Sequence, residues 1–142
     1  MSKFYGYFKE NMSSLGLAAP EALFSSFQTA SGTALTLLGL IEKFGKKVRL
    51  RELIGAGTRL EQLTMVGGIG AAYYAGAVIG SIAVATGRTL SGGTSLSDVL
   101  MTVHQQHLNA RWLPEFFQQN PEIYNRTLSN RRTYGMRVVL GS

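Results

Sequence analysis

An all-α chain is what three observations predict: an uncharged run rich in small residues, a second uncharged segment that is two-faced at helical period, and a basic connector between them. The run is Met65 to Thr86, MVGGIGAAYYAGAVIGSIAVAT, with Gly68, Ala72, Gly76 and Gly80 four residues apart and a second register at Gly67, Ala71 and Ala75. Each glycine inside a water-exposed helix costs roughly 1 kcal/mol against alanine, so the glycines between Gly67 and Gly80 together forfeit ~5 kcal/mol. A small domain has only about 5 to 15 kcal/mol of net stability. Small residues at this spacing make sense where another backbone comes close, as between helices in lipid. The expected architecture is a single domain: an amphipathic lead over residues 1–21, a helical hairpin of two apolar, membrane-inserting helices over 22–90, and a small, basic, amphipathic helical region over 91–142.

Taken in order, the lead sets Phe4, Tyr5, Tyr7 and Phe8 beside Lys3 and Lys9. That mixture suits a bilayer interface, and equally a helix docked on a core by its aromatic face. Pro20 and Glu21 mark a helix start, because proline is tolerated in the first turn and an acid there meets the positive end of the dipole. Ala22 to Ile41 carries no charge and is close to the ~20 residues that span a bilayer. At 100 degrees per residue Ser25, Gln28, Thr29, Gly32, Thr33, Thr36 and Gly39 fall on one side and Leu23, Phe24, Phe27, Ala30, Ala34, Leu37, Leu38 and Ile41 on the other. A surface helix ordinarily carries charge on its wet side, so a neutral stripe predicts a second helix or a narrow aqueous path against it. Serine and threonine there can bond a backbone or a neighbouring helix.

The connector, residues 43–51, holds Lys43, Lys46, Lys47, Arg49 and Arg51. Beside a spanning helix it acts as a topology signal, and each cation near an anionic leaflet contributes about 1 kcal/mol of attraction; a solvated turn is the plain alternative. Residues 52–62 form a polar bridge, and Arg88 with the following Ser/Gly-rich turn closes the apolar run. Ser95 and Asp98 have capping-box spacing, which predicts a helix from about Asp98 to Leu113 that Pro114 ends or bends. Asn120–Pro121 announces another short helix, and the last residues read as a short strand or a disordered tail.

The formal charge of +6 and the pI near 9.9 favour an acidic partner, lipid or nucleic acid, although no nucleic-acid motif accompanies the basic run. The absence of cysteine excludes disulfides and thiolate metal sites. Lys9, Glu10 and Asn11 interrupt any signal-peptide core, so the chain is expected to be made in the cytoplasm without one. Catalysis lacks an inventory: Asp98 is the single aspartate, His104 and His107 have no further ligand pair, and no GxSxG elbow occurs. Gly68-Ile69-Gly70 begins like a dinucleotide fingerprint but meets Tyr73 where glycine or alanine is required, and Gly39–Lys46 fails as a P-loop on spacing. No enzyme, metal or cofactor is expected.

The zipper residues Gly68, Ala72, Gly76 and Gly80, the register Gly67–Ala71–Ala75, the missing signal peptide and the cationic tip together resemble the small glycine-zipper, membrane-inserting toxins of bacteria, including pore-forming effectors of type VI secretion. The resemblance covers roughly residues 22–90. It implies action at a bacterial inner membrane after secretion into target cells, oligomerisation into an ion-permeable pore, a cognate immunity protein, and a secretion carrier or chaperone. In that scheme the glycines pack hairpins together and Ser25, Gln28, Thr29, Gly32, Thr33 and Thr36 line the path. Replacing Gly76 and Gly80 by leucine is then expected to abolish toxicity without lowering expression. The mean hydropathy of +0.08 is low for a committed membrane protein and fits a chain that stays in water before inserting. Two other readings stand beside it: a non-toxic membrane-complex subunit or immunity-like partner docking through the zipper, and a soluble bundle with the glycine helix at its centre that binds an acidic partner.

Overall fold

The computed structural model of the protein describes residues 3–55, 60–90, 95–108 and 110–137. All regular structure among them is helical: α1 Lys3–Ser14, α2 Glu21–Phe24, α3 Phe27–Phe44, α4 Leu50–Ile54, α5 Ala71–Leu90, α6 Leu96–Gln105 and α7 Leu113–Gln119. Short 3-10 turns occupy Leu60–Val66, Pro121–Ile123 and Arg131–Met136. α5 is the axis, with every residue from Ala71 to Ala85 buried and α1, α3, α4, α6 and α7 packed around it. A helix that is apolar around its whole circumference has to be covered around its whole circumference. The shell supplies one buried stripe per helix: Tyr5, Phe8 and Met12 from α1; Ala30, Ala34, Leu37 and Ile41 from α3; Val99 and Val103 from α6; Phe116 and Phe117 from α7. All of them join one core. The aromatic face of α1 is thus spent largely on the interior, with Phe8 stacked on Phe24 at 4.7 Å between centroids.

The expected hairpin of two continuous apolar helices is not the arrangement of the folded chain. Among the described residues no helix is long and apolar enough to cross a membrane. The uncharged part of α5 ends at Gly87, a rise of ~26 Å at 1.5 Å per residue against a hydrocarbon core of about 30 Å. Helix does not begin at Met65 as expected, because the backbone ahead of Ala71 is claimed by the connector. The Leu50 and Arg51 amides donate to the carbonyls of Ile69 and Gly67 at 2.8 and 2.9 Å, and the Ala71 amide donates to Val48 at 2.8 Å. Arg49 and Gly70 form an isolated antiparallel bridge at the same place. Gly67 and Gly68 therefore lie outside α5, and the four-residue register runs in helix only through Ala72, Gly76 and Gly80.

The apolar stretch 22–41 is two helices. Ser26 is extended at φ −143° and its Oγ accepts the Thr29 amide at 3.1 Å, so the serine pair caps a new helix where a continuous span was expected. A serine that caps satisfies one of the orphan amides of the first turn, which a chain immersed in water uses to redirect itself. Pro114 likewise opens a helix: it stands at the first turn of α7, where its missing amide costs nothing. α6 had already ended at Gln105, its cap built as predicted from Ser95 Oγ and the Asp98 carboxylate. Arg131–Met136 is a 3-10 turn and does not read as the anticipated strand; residues 138–142 and the turn at 91–94 lie outside the described residues. Gly16, at φ +78°, lets α1 end against the C-terminal turn, where the Gly135 amide donates to Leu15 at 2.9 Å and a Cβ on Gly16 would sit 2.7 Å from the Arg132 carbonyl.

A Cβ at Gly76 would lie 2.1 Å from the Phe116 ring, and one at Gly80 2.2 Å from Ile123. Overpacking of this kind costs about 1 to 3 kcal/mol, so G76A is expected to lower the urea midpoint by a corresponding amount and G76L/G80L to accumulate poorly. This reverses the expectation that the leucine variants express normally. A G76A midpoint equal to wild type would show that α7 does not seat on α5.

Candidate functional site

Two small-residue surfaces exist in this molecule, and they have opposite surroundings. On α5, Ala72, Ala75, Gly76 and Gly80 are fully inside, and the glycine notch is filled from within the chain by Phe116, Phe117 and Ile123. Gly67 is buried against Arg51, where a Cβ would meet the Arg51 Cβ at 3.0 Å, whereas Gly68 is exposed with open space beside it. Ala71 is buried at the start of the helix. The zipper on α5 is thus occupied by the protein's own side chains.

A polar network locks that cover in place. Asn11 of α1, 3% exposed, donates from Nδ2 to Ser81 Oγ of α5 at 2.8 Å and to the Ile123 carbonyl at 2.9 Å, and its Oδ1 accepts from Arg131 Nη2 at 2.5 Å. Arg131 also donates from Nε to the Glu122 carbonyl at 2.8 Å. Burial pushes the Arg131 guanidinium pKa below its usual value, Arg126 adds to the lowering and Glu122 opposes it. Next to it Arg137 donates to Asn120 Oδ1 and pairs with Glu122 Oε2 at 2.6 Å while lying over the Tyr73 and Tyr134 rings at 5.7 and 5.3 Å. The Tyr134 hydroxyl donates to the Tyr73 carbonyl, and complete burial holds its pKa well above the usual phenol. Tyr74, on the other side of α5, donates to Ala18 at 2.9 Å and is likewise raised by burial. The sequence alone points to none of these bonds: those of Asn11 and of the Tyr74 and Tyr134 hydroxyls join residues 56 to 120 positions apart, and those of Arg131 and Arg137 to Asn120 and Glu122 follow no helical spacing.

The second small-residue surface is the outward side of α3. Gln28, Gly32, Leu35, Thr36 and Gly39 are exposed there, with no charge among them, and nothing lies within 4 Å of a Cβ built on Gly32 or Gly39. The hydroxyls assigned to a path are used locally: Thr29 Oγ1 accepts from Ser26 Oγ, Thr33 is buried and donates to the Leu23 carbonyl at 2.8 Å, and Thr36 donates back to Gly32. Ser25 sits half-buried at the α2–α3 junction. A shallow hollow of about 210 Å³ runs along Thr29, Gly32, Thr33 and Thr36 above Leu60. The Oγ of Ser31, beside this face, is buried without a hydrogen-bond partner.

The connector cations follow directly. Lys43, Lys46, Lys47 and Arg51 are exposed and Arg49 half-exposed; the backbone at Val48–Arg51 is paired with Gly67–Ala71, and together these cations form a basic band at the C-terminal end of α3. His104 and His107 are both exposed, and the described residues contain no group of three metal-ligating side chains. No family model, curated protein or solved structure gives a significant match to the chain.

Each buried polar group left without its partner costs about 1 to 3 kcal/mol, more when charged. Asn11→Ala leaves Ser81 Oγ without its partner and removes one of the two bonds of Arg131 Nη2, the one to the Ile123 carbonyl at 3.2 Å remaining, so a loss of about 2 kcal/mol in urea unfolding is expected. A loss below ~0.5 kcal/mol, the size of an ordinary surface substitution, would show the network to be incidental.

Proposed function

We propose that the protein is a membrane-active effector: it remains closed in water with α5 sequestered, docks on an anionic bilayer through the outward side of α3 and the basic band, and then opens to insert and form an ion-permeable assembly. The observation that supports this reading is the uncharged, glycine-bearing exposed face of α3 ending in Lys43, Lys46 and Lys47. A neutral surface flanked by cations suits the boundary between headgroups and acyl chains. Gly32 and Gly39, each costing roughly 1 kcal/mol in an exposed helix, have no contact within the chain that accounts for them. The resemblance to glycine-zipper toxins points the same way.

Opening is conceivable in energy because α5 moves from one apolar environment to another. Its burial is lost only to the shell, and the insertion step requires α5 to lengthen. The chain carries no charge between Glu61 and Arg88, so winding Met65–Gly70 onto α5 would extend the apolar rise past the ~30 Å hydrocarbon core. The connector bonds at Val48, Leu50 and Arg51 are what that step would break. Once Phe116 and Ile123 leave the notch, Gly76 and Gly80 become available to a second helix. Self-association, an immunity protein that holds the closed form, and a carrier for export belong to this proposal.

A second reading has its own observation. Gly76 and Gly80 are fully accounted for by Phe116 and Ile123, which leaves the bundle self-sufficient and the α3 face free to dock on a partner protein.

Membrane potential, read with a voltage-sensitive dye in bacteria that express the chain in the cytoplasm or fused to an export signal, separates the two. Depolarisation without lysis is expected, and it should arrive faster with Asn11→Ala, which weakens the closed form. Normal potential in both compartments with both chains would overturn the pore and leave the docking reading.

A further inference from the structure

Going further, and resting on the membrane reading above, we propose that the cleft between the C-terminal half of α3 and His107, Ala110, Arg111 and Trp112 seats one anionic phospholipid of the bilayer. The cleft measures about 700 Å³, within the ~300–1,000 Å³ of small-ligand sites and far more than a phosphate ion fills. Apart from Glu42, the α3 side is uncharged: Ile41 and Leu38 are buried in the lining and Leu35 stands 46% exposed. Trp112, half-buried, lines it from the other side. Indole rings favour the depth at which headgroup meets chain.

The charged groups of the cleft are Lys46, Arg111 and Glu42, and none has an ion-pair partner among the described residues. Two arginines outside the cleft are held in ion pairs, Arg126 with Glu10 and Arg137 with Glu122. Two unpaired cations against one carboxylate leave the cleft net positive beside exposed hydrocarbon. That combination fits an anion and an acyl chain in one molecule.

His107 stands at the same cleft in the left-handed conformation at φ +57°. It closes α6 as a Schellman cap, with the Leu108 amide donating to Val103 at 2.9 Å and the His107 amide to His104 at 3.2 Å. Glycine is the favoured residue at that position because it has no Cβ to strain. Here an imidazole stands in the strained place and adds a hydrogen-bonding group to the cationic side of the cleft.

The test uses the full chain and co-sedimentation with vesicles of phosphatidylcholine alone or of phosphatidylcholine mixed with phosphatidylglycerol. Wild type is expected to bind the mixed vesicles selectively. Each cation at an anionic leaflet strengthens binding about fivefold, so K46Q/R111Q is expected to weaken it about 25-fold. K9Q/R132Q, which removes the same charge from exposed positions outside the cleft, should change it by no more than about twofold. Thermal melts of both variants confirm that the fold is retained. Equal loss in the two variants, or wild-type binding by K46Q/R111Q, would overturn the cleft as the lipid seat while leaving depolarisation to judge the pore. Binding through the cleft without depolarisation of cells would keep this proposal and overturn the pore, and no binding to mixed vesicles by wild type would overturn the cleft and the docking step together.

Discussion

The structure depends on the contact between the small-residue face of α5 and the side chains that fill it. Gly76 admits the edge of Phe116 and Gly80 admits Ile123, at separations where even a methyl group would overlap. Interiors are packed near crystal density, so this fit sets how far α7 and the Pro121–Ile123 turn can descend. Everything farther out inherits that depth. Phe117 reaches α5 beside Ile123, Phe116 meets Tyr73 and Trp112 at 5.7 and 5.4 Å, and Asn11 comes within bonding distance of Ser81 and the Ile123 carbonyl at once.

The same residue type answers two different physical questions on α5 and on α3. Where glycine is buried, its cost in helix propensity is offset by closer packing of large neighbours, and the protein's interior accounts for it. Where glycine is exposed, as at Gly32 and Gly39, the cost remains and the folded chain offers no compensation. Neutrality compounds the contrast, since the wet side of a helix is the cheapest place to carry charge. The basic band and the cleft of Leu35, Lys46, Arg111 and Trp112 lie at the end of this face. The outward surface of the molecule is therefore unevenly adapted to water, and the unevenness is concentrated on one helix.

Much of the helical architecture was legible in the chain. The period of the apolar positions gave α3, the Ser95–Asp98 spacing gave the start of α6, and Pro20–Glu21 and Asn120–Pro121 marked turns that begin helices. The small residues of α5 correctly announced a close approach. What they could not announce was the partner, because Phe116 and Ile123 lie some way down the chain and nothing local in either ties it to a glycine. Local signals also mislead where two compete: Ser25 reads as part of a polar stripe along a span, while Ser26 beside it caps a new helix, and Pro114 reads as ending or bending a helix and stands in the first turn of the next. The connector was taken as a loose tip because its pairing with Gly67–Ala71 is a backbone matter with no side-chain signature. The cleft at the end of α3 was partly legible as Lys46 and the neutral stripe, but Arg111 and Trp112 join them only through tertiary structure.

Asn11 holds a further consequence. Its partners are separated from it by 70, 112 and 120 positions, so the bond that seals the bundle waits for nearly the whole chain to leave the ribosome. At synthesis rates of about 5 to 20 residues per second, α5 is complete for a few seconds before Phe116, Phe117 and Ile123, which fill its glycine notch, exist. During that interval the small-residue side of α5 at Gly76 and Gly80 lies open to whatever is nearby, be it a chaperone or a membrane. The order of translation thus exposes in each newly made molecule, for a short time, a surface that the closed bundle hides.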